Sequence, residues 1–561
     1  MIPDERALTP VDELAERFWE GILELNPTTA TFYGDERYAD RLEDPGPAGR
    51  ARNRALMERT AAEAAEFATE DLPTEDRITR GMLKVVAELQ IEEDDQAFHH
   101  LRVVAQVGGP QQLLPQLTQF QPADTPARLE AFIARLHAYP AFMAANTEIL
   151  RDGLASGLTA PRIVAERTIA QIERMLEVPI ESAIVPSMVR VASEADRERV
   201  RAIVREVVYP ADTAFLESLR GDYLAATRDD PGLWSAPNGE QLYRTAIRSW
   251  TTLDLDPQEV HRIGLDELET IEAERREIAR AAGFGDDTVA YRAALAADPA
   301  NTPPSKEALV ERAADDIERA MAAAPRYFGV LPRAGCEVRP VEEYKEKDAS
   351  FAYYYPPAPD GSRPGIYYAN GYDLPSRKYS TLATTTYHEA APGHHFQISL
   401  EMENPTLNRF RRLGARMVGS AYVEGWGLYS ERLADEMGLF RNEAERFWML
   451  DAQAWRAARL VVDTGLHALR WPRQRSIDFL KSAGLTETDA VIETDRYISW
   501  PGQALTYKIG QREIERLRAQ LSARDGSAFD LRAFHDAVLG HGSLPLATLT
   551  RELPNWLATP V

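Results

Sequence analysis

A chain of 561 residues with one cysteine and a formal net charge of −24 excludes several classes of protein. The negative charge argues against nucleic acid or an anionic membrane as a partner, because both would repel the chain. A single cysteine, Cys336, allows neither an intramolecular disulfide nor a cysteine-rich metal site.

The chain also lacks the usual targeting patterns. Residues 1–8 contain no basic region followed by an apolar run, and no stretch approaches about 18 uninterrupted apolar residues. We therefore expect a soluble, cytoplasmic protein. Its length could hold three or four domains of roughly 150 residues, although large helical enzymes often build one functional body from such a chain.

Helix signals recur through the N-terminal half. Thr9 begins a segment in which Leu14 and Phe18 belong to an apolar stripe, and Thr125 begins another segment of the same kind. Charged, helix-prone segments follow near 161–179, 194–226, 256–283 and 305–325. The pattern predicts a helical body over residues 1–335, without the fixed-period repeat of a solenoid.

Residues 336–375 differ from the rest of the chain in composition. Two tyrosine-rich runs, at 350–355 and 365–369, flank a turn-rich stretch that contains Asp360-Gly361. We expect a small β-hairpin or sheet here, just before the helix that carries the metal-site motif. The chain is again helical afterwards, most clearly at 380–402, 420–437, 442–470 and 502–521.

The small β segment is also a candidate wall for a substrate channel. Its edge strand could pair with an extended peptide backbone, or the sheet could serve packing alone. Tyr367 and Tyr368 are therefore candidate substrate-binding residues.

Three of the ten histidines lie within residues 388–395, and Glu389 follows the first of them. Zinc binds neutral imidazole and carboxylate, and a hydrolytic zinc site keeps one position for water while a nearby glutamate accepts the water's proton. The familiar arrangement is His-Glu-x-x-His on one helix, but the fifth residue here is Pro392. Because proline removes a backbone donor and displaces the preceding turn, the helix should bulge or break at this point.

Two histidines compete for the second ligand position. On a regular helix His394 would lie about 120° away from His388 and about 9 Å along the axis, whereas His395 would return to nearly the same face about 10.5 Å away. A local expansion at Pro392-Gly393 could bring His394 back, so we prefer His394 and keep His395 in reserve. The alternative is that these are ordinary polar residues at a helix kink.

A third ligand is expected from a later helix. The segment 420–437 carries Glu424 and Glu431 two turns apart on one face. Gly425 and Gly427 each cost about 1 kcal/mol relative to alanine inside a helix, which indicates close packing of another backbone and favours Glu424 as a buried ligand. Glu431 suits a supporting role better, although both glutamates could be solvated surface charges.

Four further residues could complete a hydrolytic site. Tyr507 is the candidate donor to a developing oxyanion, and Arg496 could bind a substrate carboxylate through two parallel hydrogen bonds. His467 could donate a hydrogen bond to the substrate or orient another group, and Gln397 could orient a ligand or hold the kinked backbone. Each also has a structural interpretation, as a core side chain or as part of an ordinary polar contact.

The pattern His388-Glu389-x-x-Pro392-Gly393-His394-x-x-Gln397, followed by Glu424-Gly-Trp, resembles the bacterial family catalogued as domain of unknown function 885. Further similarity lies in 462–467, 496–497, 501–504 and Tyr507. The resemblance covers about residues 255–545 and is weaker nearer the N-terminus. Members of the family are generally regarded as zinc metallopeptidases, related in architecture to mostly helical peptidases with a deep channel. The resemblance therefore implies zinc and peptide hydrolysis, but it does not imply a particular substrate.

These observations predict a mainly α fold, with a large multi-helix body, a deep channel and a small β-hairpin or sheet before the metal-site helix. The predicted parts are the N-terminal body at 1–335, the β-rich segment at 336–375 and the metal-site region at 376–561. We expect them to act as one functional unit.

The predicted function is that of a zinc metallopeptidase acting on short peptides. His388, His394 and Glu424 would hold Zn²⁺, and Glu389 would be the general base for a metal-activated water. The alternatives are a helical protein that binds metal without catalysis, a wholly structural helical protein, and a hydrolase of non-peptide amides. Ligand type alone does not exclude manganese, cobalt or iron, and the sequence does not determine the oligomeric state.

Overall fold

The computed structural model describes residues 7–180, 193–342, 346, 350–358, 361 and 363–557. The N-terminal body is helical, as predicted. Its helices are α1 Pro10–Leu25, α2 Pro27–Phe32, α3 Pro47–Glu66, α4 Thr74–Asp95, α5 Phe98–Arg102, α6 Leu113–Phe120, α7 Pro126–Ser156, α8 Arg162–Glu177, α9 Glu194–Ile203, α10 Tyr209–Ser218, α11 Gly239–Thr251, α12 Pro257–Ala281, α13 Thr288–Ala297 and α14 Lys306–Ala323. Residues 1–6 lie outside the described residues.

Helix α1 shows how local sequence determines these elements. The Thr9 hydroxyl accepts a hydrogen bond from the backbone N–H of Asp12 at 3.1 Å, and the Asp12 carboxylate accepts one from the Thr9 backbone at 3.0 Å. This reciprocal cap satisfies donors that the helix leaves unpaired, and Pro10 suits the first helical position. Phe18 and Ile22 of the apolar stripe are buried.

The β-rich segment is a three-stranded sheet of β1 Cys336–Pro340, β2 Ala352–Tyr355 and β3 Gly365–Ala369. The strand order is β1-β3-β2, with β1 parallel to β3 and β2 antiparallel to β3. Strand β3 is buried along its whole length, and β2 forms an edge of the sheet. Asp360 of the predicted turn lies outside the described residues.

The metal-site region is helical again. Its helices are α15 Tyr379–Glu389, α16 His394–Glu403, α17 Ser420–Glu436, α18 Glu443–His467, α19 Arg473–Ser482, α20 Glu487–Ser499, α21 Thr506–Asp525, α22 Leu531–Leu539 and α23 Leu546–Trp556. The mainly α fold with a small sheet before the motif helix is therefore confirmed.

The N-terminal and C-terminal helices share one hydrophobic core. Phe18 and Trp19 of α1 belong to the same buried cluster as Trp426 of α17 and Leu549 of α23. The Phe18 ring meets the Phe410 ring edge to face at a centroid distance of 5.2 Å. Among the described residues, no helix has the length and apolar character that a membrane crossing requires.

Candidate metal centre

The helix is interrupted between α15 and α16, at the point where Pro392 predicts an interruption. Helix α15 ends at Glu389, and α16 begins at His394. A Cβ atom at Gly393 would lie 1.9 Å from the carbonyl oxygen of His388, so only glycine fits this close reversal. The break folds His394 back toward His388.

Helix α17 holds the break in place. The indole N–H of Trp426 donates a hydrogen bond to the carbonyl of Pro392 at 2.9 Å, and the Ser430 hydroxyl donates to the same oxygen at 3.3 Å. All three residues are buried or nearly so. The helix that carries Glu424 therefore also fixes the backbone that carries the two histidines.

The structure brings His388, His394 and Glu424 together. The Nε2 atoms of both histidines lie 3.6 Å from Oε2 of Glu424, and one ligand atom from each of the three residues falls within 4.8 Å of the others. The two imidazole rings meet nearly at right angles, with centroids 4.7 Å apart. Tetrahedral zinc with bonds of about 2.0–2.1 Å separates its ligand atoms by roughly 3.4 Å. The spacing therefore fits one ion among the three side chains.

Glycines on α17 make room for this cluster, as their cost in a helix suggests. A Cβ atom at Gly427 would lie 2.7 Å from Nε2 of His388 and 2.9 Å from Cε1 of His394. A Cβ atom at Gly425 would lie 2.4 Å from the Cα of Gly510, because α17 and α21 pack backbone to backbone there. Larger side chains at these positions would push the histidines and α21 away from Glu424.

The electrostatics of the cluster stabilise a positive charge. Burial disfavours a charged His388, but Glu424 and Glu431 lie on either side of the ring and raise its pKa to about 9. Burial also opposes the ionised form of Glu424, yet hydrogen bonds to His388 and His394 hold its pKa well below the usual range. A metal cation can replace the proton between these groups, since metal ligands bind in their deprotonated forms.

Glu431 supports His388 from behind. Its Oε1 lies 2.9 Å from Nδ1 of His388, so the imidazole donates there and presents Nε2 to Glu424. Its Oε2 accepts from the Gln453 side-chain amide at 3.2 Å, and Oε1 of Gln453 accepts from Nζ of Lys508 at 2.8 Å. The four residues that these hydrogen bonds connect, His388, Glu431, Gln453 and Lys508, are all buried. Gln453 and Lys508 were missed in the sequence, because a lone glutamine or lysine within a helix carries no spacing signal.

His395, the reserve ligand, lies apart from the cluster. Its Nε2 donates to the carbonyl of Ala334 at 3.0 Å, and its Nδ1 accepts from the Tyr354 hydroxyl at 2.9 Å. The carbonyl can only accept, so this pattern determines the tautomer. Burial lowers the pKa of His395 to about 4. The structure therefore groups His394, and not His395, with His388.

Glu389 lies in the wall of a cavity that two of the candidate ligands, His394 and Glu424, also line. The cavity measures about 270 Å³. Its lining comprises Tyr354, Pro356, Glu389, His394, Ile398, Ser420, Val423 and Glu424. The Glu424 side chain keeps 23% of its surface exposed toward solvent. The cavity thus brings the candidate base, two candidate ligands and the edge strand β2 to one space.

Tyr507 lies against the cluster, on α21. Its ring centroid is 6.3 Å from that of His388, with 27° between the ring planes. The guanidinium of Arg459, which the sequence did not single out, lies 4.4 Å from the Tyr507 ring centroid. Arg496 donates to Oε1 of Gln503 at 2.6 Å and keeps 25% of its side chain exposed. Tyr507 is thus close to the candidate ligands, whereas Arg496 already has a protein partner.

His467 is a core residue, and the structure does not bring it to the cavity. The backbone N–H of Leu233 donates to its Nδ1 at 3.1 Å, and its Nε2 donates to the carbonyl of Tyr497 at 3.0 Å. The side chain is fully buried, and burial lowers its pKa to about 4. Both ring nitrogens of His467 are hydrogen-bonded to backbone groups, so neither is left to contact a substrate. The residue contributes to core packing instead.

Tyr367, Tyr368 and Gln397 also lie outside the lining of the cavity, as do Tyr507 and Arg496. Tyr367 is buried in the core, where the Thr386 hydroxyl donates to its hydroxyl at 3.4 Å, and the Tyr368 ring stacks on Tyr353 with centroids 4.9 Å apart. Direct substrate contact by either tyrosine is therefore not supported by its position. The Gln397 amide donates to Glu401 and to Ser543, both at 3.0 Å, so it fixes α16 and does not orient a candidate ligand.

Comparison with known proteins identifies the family. Residues 27–553 match the family described as "Bacterial protein of unknown function (DUF885)". The chain belongs to the DUF885 family. A solved structure of a "putative lipoprotein" from Colwellia psychrerythraea is 30% identical, with 98% of each chain covered and a TM-score of 0.89. A "putative lipoprotein of unknown function" from Shewanella oneidensis shares the fold at 18% identity, with 98% of this chain and 100% of that chain covered and a TM-score of 0.76. No curated protein matches the chain.

Proposed function

We propose that this DUF885 protein is a zinc-dependent hydrolase, a metallopeptidase acting on short peptides. The observation that carries the proposal is the meeting of His388, His394 and Glu424, two of which, His394 and Glu424, line one cavity together with Glu389. Two imidazoles and a carboxylate form a donor set that catalytic zinc sites use, and the cluster stabilises positive charge. Zinc in such a site acts as a Lewis acid and lowers the pKa of water to about 7.

The residues around the cluster have distinct roles in this proposal. Glu389 accepts the proton of the attacking water and then delivers it to the leaving amine. Tyr507 donates a hydrogen bond to the carbonyl oxygen of the scissile bond, on which negative charge develops when water attacks the carbonyl carbon. Glu431 keeps His388 oriented through the hydrogen bond at Nδ1.

The cavity suits an extended peptide. Strand β2 is an edge strand, and its Tyr354, together with Pro356 just beyond it, lines the cavity. An edge strand can pair with a peptide backbone through main-chain hydrogen bonds, which are independent of the side chains. This arrangement favours peptides over small non-peptide amides, whose backbone would be too short to use the strand.

The first test measures the zinc content of the protein and its peptide turnover. Protein purified without added metal should contain about one zinc per chain, and His388→Ala should lose it. Glu389→Gln should keep the zinc while peptide turnover falls by about 10²- to 10⁴-fold, because only the proton acceptor is removed. Glu311→Gln, at an exposed position on α14, is the matched control and should behave as the wild type.

Two outcomes would count against the proposal. Full turnover in Glu389→Gln would contradict the assignment of the base. Zinc binding without hydrolysis of any peptide in a broad library would favour the non-catalytic alternative, in which Glu389 has no task.

A cytoplasmic location remains part of the proposal. The name of the C. psychrerythraea protein raises the alternative of a lipid-anchored protein of the cell envelope. Fractionation of the native organism, followed by immunodetection in the soluble and membrane fractions, distinguishes these locations.

A further inference from the structure

A second cavity, of about 340 Å³, lies next to the one beside Glu389. Ser420 lies in the wall of both cavities. Ser420 is four residues before Glu424 on α17, which corresponds to about 6 Å along the helix axis. An extended peptide covers about 3.3 Å per residue. The second cavity therefore begins one or two residues away from a peptide bond held at the cluster.

This second cavity, here called the side chamber, lies where the N-terminal body meets the metal-site region. Leu89, Leu101 and Trp250 contribute from the N-terminal body, and Met417 and Trp500 contribute from the metal-site region. The rings of Trp250 and Trp500 stack with centroids 6.1 Å apart and 23° between their planes. Met417 leaves 38% of its surface exposed. A chamber with such walls binds an apolar group most favourably, because binding removes apolar surface from water.

The polar groups of the side chamber point to the same occupant. Glu93 and Arg102 line it and pair with each other at 2.6 Å, so neither offers a free charge to a ligand. A charged substrate side chain would lose its hydration there without gaining a counter-ion. The buried Oγ of Ser249, also in the wall, has no hydrogen-bond partner within the described chain.

We propose that the side chamber selects peptides with a large apolar side chain, aliphatic or aromatic, one or two residues from the cleaved bond. The inference rests on the proposed function, because it takes the cluster as the place of cleavage. Burying a leucine or phenylalanine side chain favours binding over glycine by about tenfold to a hundredfold.

The test uses peptides that differ in one residue. Leucine, phenylalanine, glycine or glutamate is placed in turn at each position within two residues of the scissile bond, and kcat/KM is measured with the zinc-loaded protein. At one position, leucine and phenylalanine should exceed glycine and glutamate by about tenfold to a hundredfold. Met417→Trp, which fills the chamber from an exposed position, should reduce that ratio to about threefold or less.

Two further variants serve as a control and as a second probe of the side chamber. Val289→Trp introduces the same side chain on α13, at a position that is 68% exposed and lines neither cavity, and it should keep the wild-type ratio. Trp250→Ala enlarges the chamber and should move the preference from leucine toward tryptophan. It serves as the second probe if Met417→Trp does not fold.

Calorimetric binding to Glu389→Gln separates this inference from the proposed function. If no peptide is hydrolysed but the leucine peptide binds about tenfold more tightly than the glycine peptide, and Met417→Trp abolishes the difference, the side chamber stands and the hydrolase proposal fails. If peptides are hydrolysed with no side-chain preference at any of these positions, the side chamber proposal is overturned while the hydrolase proposal stands. Equal affinity for both peptides overturns the side chamber proposal in either case.

Discussion

Two groups of buried histidines differ in their partners and not in their burial. His395, His467 and His535 bond to backbone groups or tyrosine hydroxyls, and burial lowers the pKa of each to about 4. His388 is equally buried, yet the carboxylates beside it raise its pKa to about 9, and His394 faces one of the same carboxylates. Burial alone therefore does not mark a candidate ligand. The presence of carboxylates around the ring does.

The largest expected effect separates the two neighbouring histidines. His394→Gln should weaken zinc binding by about 3 kcal/mol or more, since the roughly 10–16 kcal/mol of a four-ligand zinc site is shared among its ligands. His395→Gln should leave zinc affinity within about threefold, because both nitrogens of His395 bind protein groups elsewhere. Competition with a chromophoric chelator measures both. Equal losses in the two variants would contradict the grouping of His394 with His388.

A smaller effect tests the carboxylate behind His388. Glu431→Gln should lower zinc affinity by about 10- to 100-fold, because the amide no longer favours the tautomer that presents Nε2. Glu436→Gln, on the last turn of the same helix and half exposed, is the control and should change nothing. The same chelator competition applies. An unchanged affinity in Glu431→Gln would mean that the hydrogen bond at Nδ1 does not support the ligand.

A pH-dependent effect on stability concerns the buried group one turn before His467. Burial raises the pKa of Asp463 from 3.8 to about 7, despite hydrogen bonds from Tyr243 and the Gly502 N–H. Between these pH values the unfolded chain is ionised while the folded protein keeps the proton. Asp463 therefore contributes stability at low pH that is lost as pH rises from about 4 to about 7, by at most about 1.4 kcal/mol per pH unit.

Asp463→Asn should remove this dependence. Relative to the wild type, the free energy of unfolding of the variant should rise with pH across this range and become constant above about pH 7. Urea unfolding at half-unit intervals of pH measures the difference directly. Parallel curves for the two proteins would show that Asp463 does not hold its proton in the folded state.

Much of the site follows from local sequence. Pro392 removes a backbone donor, so a break between His388 and His394 could be predicted without knowing any contact. Glycine at position 427 destabilises a helix and is expected only where a neighbouring group needs the space. His388 and His394 occupy that space. The helical body and the sheet before the motif helix follow from caps, apolar periodicity and tyrosine-rich runs. These signals are readable because each depends on residues a few positions apart.

Only the tertiary structure decided how distant residues meet. It grouped His394 and not His395 with His388, turned Glu431 toward Nδ1 of His388, and placed His467 in the core. The direction of each side chain depends on the angle at which helices cross and on which backbone groups need partners. Those quantities are set by packing between elements that lie tens to hundreds of residues apart, and no local spacing encodes them.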